Sequence, residues 1–149
     1  MSVIIRRFMD RFFPHDNPYT VSIFGVPGAG KTTLLYQLKL RQVVTAYPTM
    51  GINIETVEVP TSSGKSLKFT GWDFGNGCAS TRTMMGVYAN YVANAHALVW
   101  VVDANERGFL DESVQGLEYV LQWVDKLLKA EDHRRRFPLL MYVQLFSQS

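Results

Sequence analysis

The chain has 149 residues, 47% hydrophobic and 19% charged, with 15 Lys+Arg against 13 Asp+Glu for a formal net charge of +2. That is the length of one domain able to bury a real core, and the near balance of charge argues against a dedicated nucleic-acid binder. The single Cys78 excludes an internal disulfide and suits a reducing, cytoplasmic setting, and no apolar run reaches the roughly eighteen residues of a spanning helix.

The first residues predict an amphipathic helix. Ile4, Ile5, Phe8, Met9, Phe12 and Phe13 recur at helical spacing, Arg6, Arg7, Asp10 and Arg11 fill the other face, and Pro14 ends it. The charged residues also break any signal-like apolar region. Residues 3–13 suit a weak peripheral membrane contact, with aromatics in the interface and arginines on anionic headgroups. They equally suit packing on the domain's own surface, and the two readings are not exclusive. Residues 1–18 are therefore read as helix and linker, and 19–149 as the globular domain.

Residues 19–24 (YTVSIF) are β-branched and aromatic, as a strand requires. Gly25-Val26-Pro27-Gly28-Ala29-Gly30-Lys31-Thr32 then fits the phosphate-loop pattern GxxxxGK[ST], and Thr33-Leu34-Leu35 opens a run of good helix formers. Strand, glycine turn and helix give the motif its physical meaning. The turn offers backbone N–H groups to an anion, and the helix N-terminus adds partial positive charge. Gly25, Pro27, Gly28, Ala29, Gly30, Lys31, Thr32 and Thr33 are thus the expected nucleotide-binding residues. Lys31 would reach the terminal phosphates, and the Thr32 hydroxyl a magnesium ion.

The helix is expected to run to about Thr45, before Pro48. Residues 52–59 and 66–72 flank a Pro-Thr-Ser-Ser-Gly turn and read as an antiparallel hairpin. A helix is expected within residues 80–94. Residues 97–102 form a continuous apolar run, as in a strand covered on both faces. Residues 111–129 form a helix with Val114, Leu117, Leu121, Val124 and Leu128 as its core stripe and Asp111 as N-cap. Residues 137–146 read as one more buried strand, and Arg134-Arg135-Arg136 as a solvated connection. This order gives an α/β, three-layer P-loop NTPase fold, a mainly parallel sheet with one antiparallel hairpin and helices on both faces. Asp73, just past an apolar strand, has the placement of a magnesium-associated carboxylate.

The chain resembles the ADP-ribosylation factor (Arf-like) family of small GTPases. The residues that carry the resemblance are Gly25-x4-Gly30-Lys31-Thr32-Thr33-Leu34-Leu35, Pro48-Thr49-Met50-Gly51-Ile52-Asn53-Ile54-Glu55-Thr56-Val57-Glu58, Trp72-Asp73-x-Gly75 and Val101-Val102-Asp103-Ala104-Asn105-Glu106-Arg107. The resemblance implies a GTP/GDP-binding switch that uses Mg2+ and meets effector and regulatory proteins, in vesicle-mediated transport on endomembranes. It implies that Thr49, Gly75 and Asn76 join the nucleotide site, that Thr32, Thr49 and Asp73 serve the metal, and that Ile52, Trp72 and Tyr91 form the effector surface.

Four departures stand against that pattern. Gly77 occupies the place of the glutamine that orients the attacking water, so no catalytic residue is assigned and hydrolysis should be slow. Pro27 removes one loop N–H. Gln144-Leu145-Phe146-Ser147 replace the guanine-reading Asn-Lys-x-Asp, and the family's last strand and helix are missing, which would leave a bare apolar edge and a marginal fold. Ser2 replaces the glycine that carries an acyl chain. The resemblance thus implies a GTPase impaired in hydrolysis. The alternatives are a non-catalytic pseudo-GTPase acting as a binding module and, less favoured, an ATP-dependent small-molecule kinase.

Overall fold

A computed structural model describes Arg7, Arg11 and residues 19–42, 50–60, 66–74, 89–130 and 138–144. Arg7 and Arg11 are helical and exposed, in keeping with a helix there; the rest of residues 1–18 lies outside the described residues. Five strands form one sheet. They are β1 (Tyr19–Phe24), β2 (Ile52–Pro60), β3 (Ser66–Phe74), β4 (Ala97–Asp103) and β5 (Leu139–Gln144), in the order β2-β3-β1-β4-β5. β1 pairs in parallel with β3 and β4, β4 in parallel with β5, and only β2–β3 is antiparallel. The expected mainly parallel sheet with one hairpin is therefore the fold observed.

The uninterrupted apolar run of β4 is explained by its place in the sheet. Ala97, Val99 and Val101 face one layer and Leu98 and Trp100 the other, all five buried. The first layer is closed by helix α1 (Lys31–Leu40), whose Leu34, Leu35 and Leu38 pack on Val21, Ile23, Val57 and Val59. The second is closed by helix α2 (Leu110–Ala130) and the helical residues 89–94, through Val120, Val124 and Val92, against Phe24, Leu98 and Trp100. Trp100 anchors this layer by donating its Nε1–H to Ser113 Oγ at 3.1 Å. The start of β1 is held by a reciprocal pair, Thr20 N–H to His96 Nδ1 at 3.0 Å and His96 N–H to Thr20 O at 2.8 Å.

Four expectations need correction. α1 ends at Leu40 rather than near Thr45, because Arg41 turns into the left-handed region (φ 56) and closes the helix with its N–H on Gln37 O at 3.0 Å. The α2 stripe is core only in part: Leu117, Val124 and Leu128 pack on the layer around Trp100 as expected. Ser113, Gly116, Val120 and Val124 are its buried positions, whereas Val114 (54%) and Leu121 (40%) face outward. Ser113 is the α2 residue that hydrogen-bonds Trp100, and that contact helps to set which side of the helix faces the sheet. Asp111 sits inside the first turn rather than at the N-cap, and a short 3-10 turn, Arg107–Phe109, leads in. Finally, β5 is an outer strand and not a buried one, with Met141 (51%) and Val143 (57%) exposed.

Candidate functional site

β1 ends at Phe24 and α1 begins at Lys31, so the glycine loop lies where the central strand delivers the chain to a helix N-terminus. Gly25 has φ 149, and a Cβ built on it would stand 2.4 Å from Val101 O, so only glycine passes β4 here. Val26 to Ala29 then make a tight turn, closed by Ala29 N–H on Val26 O at 3.2 Å. Pro27 takes the second position and Gly28, φ 75, the third, the arrangement of a type II turn. Pro27 is thus at home in the loop conformation, although it supplies no N–H. Gly30 (φ 88) is the N-cap of α1 and brings no side-chain cap, and no acidic residue stands in the first turn. The first helical amides and the positive end of the helix dipole face the loop with no protein carboxylate capping them in this turn.

Lys31 lies 5% exposed, its Nζ donating to Gly25 O at 3.1 Å and Val26 O at 3.0 Å. Burial lowers its pKa from 10.5 to about 8, and the nearby Asp73 partly opposes that fall. Asp73, fully buried near the end of β3, accepts a hydrogen bond from the Thr32 hydroxyl. It reaches that place because β3 runs parallel to β1 with Asp73 opposite Ile23, one residue before β1 ends. A neutral hydroxyl and a carboxylate are hard oxygen donors, the set that suits magnesium and not a softer metal. The donor set therefore fits the ion expected from the sequence.

The structure brings Gly25, Pro27, Gly28, Ala29, Gly30, Lys31, Thr32 and Thr33 into one loop and helix start, with Asp73 beside them. Thr49, Gly75, Asn76 and Gly77 lie outside the described residues. Ile52, Trp72 and Tyr91 come together on the other layer. All three pack against the cluster around Trp100, and the Trp72 and Tyr91 rings meet edge to face, centroids 5.1 Å apart. Sequence reasoning did not foresee the two carbonyls that hold the Lys31 ammonium. Nor did it foresee a cavity of about 130 Å³ between loop residues 26–29 and the start of α2. Among the described residues no helix is long and apolar enough to cross a membrane.

A family model described as the ADP-ribosylation factor family matches residues 5–134. Among solved structures, the chain is similar to the Arl6 BBS3 small GTPase from Trypanosoma brucei with bound nucleotide analogue GppNp. The two are 19% identical, with 87% of each chain covered and a TM-score of 0.59. That likeness is one of fold, and it agrees with the five-stranded sheet and the glycine loop at the end of β1.

Proposed function

The chain belongs to the ADP-ribosylation factor family, and from that premise we propose that it is a magnesium-dependent GTP/GDP switch. It would be cytoplasmic, peripheral on endomembranes through residues 3–13, and would meet effector and regulatory proteins in vesicle-mediated transport. The observation that carries the reading is the loop at the end of β1, where Lys31 and Thr32 open α1 and Thr32 touches Asp73. An incoming triphosphate would meet the loop amides and the Lys31 ammonium. Gly25, Pro27, Gly28, Ala29, Gly30 and Thr33 shape that loop, with Thr49, Gly75 and Asn76 as further proposed contacts. Thr32, Asp73 and Thr49 would hold the magnesium ion, which when bound neutralises charge shared between the β- and γ-phosphates. Ile52, Trp72 and Tyr91 would form the surface that changes partners with the nucleotide.

Hydrolysis by the chain alone should be slow. Gly77 has no side chain to orient water, and positioning supplies most of the catalysis in phosphoryl transfer. A partner that contributes an arginine could restore the rate. The same Gly77 favours the second reading, a binding module that does not turn nucleotide over. Binding of fluorescent GTP and ATP, each with magnesium and with EDTA, tests both. Magnesium-dependent binding that prefers GTP supports the switch. Absence of binding leaves the module, and a preference for ATP overturns the guanine-nucleotide reading.

A further inference from the structure

The cavity of about 130 Å³ has loop residues 26–29 as one wall, and its lining includes none of Lys31, Thr32 or Asp73. Among the described residues, Val102, Phe109 and Leu110 add to its apolar lining, Asp103 and Glu106 are its acidic residues, and Ser113 brings a hydroxyl. An apolar cavity of about 150 Å³ is enough for a benzene-sized ligand, so this one has room for a chain of about four carbons. Ser113 is only 4% exposed, and its oxygen already accepts the Trp100 Nε1–H at 3.1 Å. Its own proton has no acceptor among the described residues, and a buried donor left unused is costly. Asp103 is half-buried, and its Oδ1 accepts from Asn105 N–H at 2.9 Å. Among the described residues, no Lys, Arg or His belongs to the lining.

We propose that this cavity is a second ligand site, beside the phosphate loop, for a short aliphatic primary ammonium ion with an oxygen acceptor at its far end. The methylene chain lies against the apolar wall, the ammonium meets Asp103 and Glu106, and the distal oxygen takes the Ser113 proton. Each of the three ligand features answers one feature of the lining. A plain hydrocarbon would leave the hydroxyl proton unused, and an anion would face two carboxylates.

The chain carries three tryptophans, so its indole N–H region in a ¹H–¹⁵N spectrum is simple, and Trp100→Phe assigns the reporter. The probe is 4-amino-1-butanol at pH 7, titrated into the full chain without nucleotide, so a failure of GTP binding leaves the test intact. A saturable shift of the Trp100 indole signal is expected, with affinity on the order of millimolar for so small a ligand. The double variant Asp103→Asn/Glu106→Gln, altered at half-buried and exposed positions, should weaken it about tenfold or more. 1-Butanol, which lacks the cation, should bind correspondingly worse to the unaltered chain, and n-butylamine, which lacks the acceptor, should also lose affinity. No saturable shift, equal response to 1-butanol, or an undiminished response in the double variant would overturn the proposal.

Discussion

Thr32 donates its hydroxyl hydrogen to a carboxylate oxygen of Asp73, tying the first turn of α1 to the end of β3 across 41 positions of sequence. The pair brings a neutral oxygen and an anionic oxygen to one place before any ion arrives. Magnesium dehydrates reluctantly and is held through few protein oxygens plus phosphate, so two such donors suffice on the protein side. Thr32→Val keeps the volume and the β-branch while removing the donor oxygen. We expect the fold to survive, and the gain in GTP affinity on adding magnesium to fall by about tenfold or more. Titrations in magnesium and in EDTA read that ratio, and an unchanged ratio would remove Thr32 from the metal's surroundings.

Lys31 makes the nucleotide-free protein sensitive to alkaline pH. Its folded pKa, about 8, lies below its ordinary 10.5 because burial disfavours the charged form. Between those two values the unfolded chain binds more protons than the folded one, so stability must rise with pH across that window. The whole rise is about 3 kcal/mol, at about 1.4 kcal/mol for each pH unit between the two values. Urea unfolding in EDTA at pH 7.5 and at pH 10.5 should reveal it, and Lys31→Met should flatten that part of the curve. The same variant should lose GTP affinity by about a hundredfold or more, because the phosphates lose a charged donor. A flat stability curve for the unaltered protein would show that Lys31 is not held as described.

The loop, its helix and the hairpin were legible because each depends on local chemistry. Glycine-rich sequence, β-branched strand residues and a run of turn-forming residue types act within a few residues. Asp73 was legible from its place after an apolar strand, but its contact with Thr32 depends on the register of β3 against β1, which no local pattern specifies. The rotation of α2 was misread in part, for a related reason. Apolar periodicity counts Val114 and Leu121 as core, yet the buried positions include the small Ser113 and Gly116, and Ser113 is the one bonded to Trp100. The end of α1 was misread because a left-handed Arg41 lacks the glycine that usually marks such a cap.

Two glycines of the loop should respond unequally to the same change. Gly25→Ala places a methyl 2.4 Å from the Val101 carbonyl oxygen, which belongs to the buried strand β4 and cannot swing aside. Overpacking and backbone strain together should cost about 2–4 kcal/mol. Gly28→Ala meets nothing within 4 Å and suffers only its left-handed φ of 75, about 1–2 kcal/mol. Chemical denaturation of both variants gives the comparison. Equal losses would mean that strand β4 does not pass against Gly25.

The rotation of α2 can be tested by pairs of substitutions that the sequence pattern and the structure rank in opposite ways. Periodicity puts Val114 and Leu121 in the core, whereas they are 54% and 40% exposed, and Val120 is fully buried. If the helix sits as observed, Val120→Ala removes two methyl groups from the layer around Trp100 and leaves a partly unfilled space. That should cost about 1–3 kcal/mol. Val114→Gln lies on the outward side, where a polar side chain is hydrated and glutamine favours the helix, so stability should stay within about 0.5 kcal/mol. Trp100 supplies an independent check of the same geometry. Ser113→Ala deprives its buried indole N–H of an acceptor and should cost about 1–3 kcal/mol. A large loss at Val114 together with a small one at Ser113 would mean that α2 turns Val114 inward, and the packing against Trp100 would have to be redrawn.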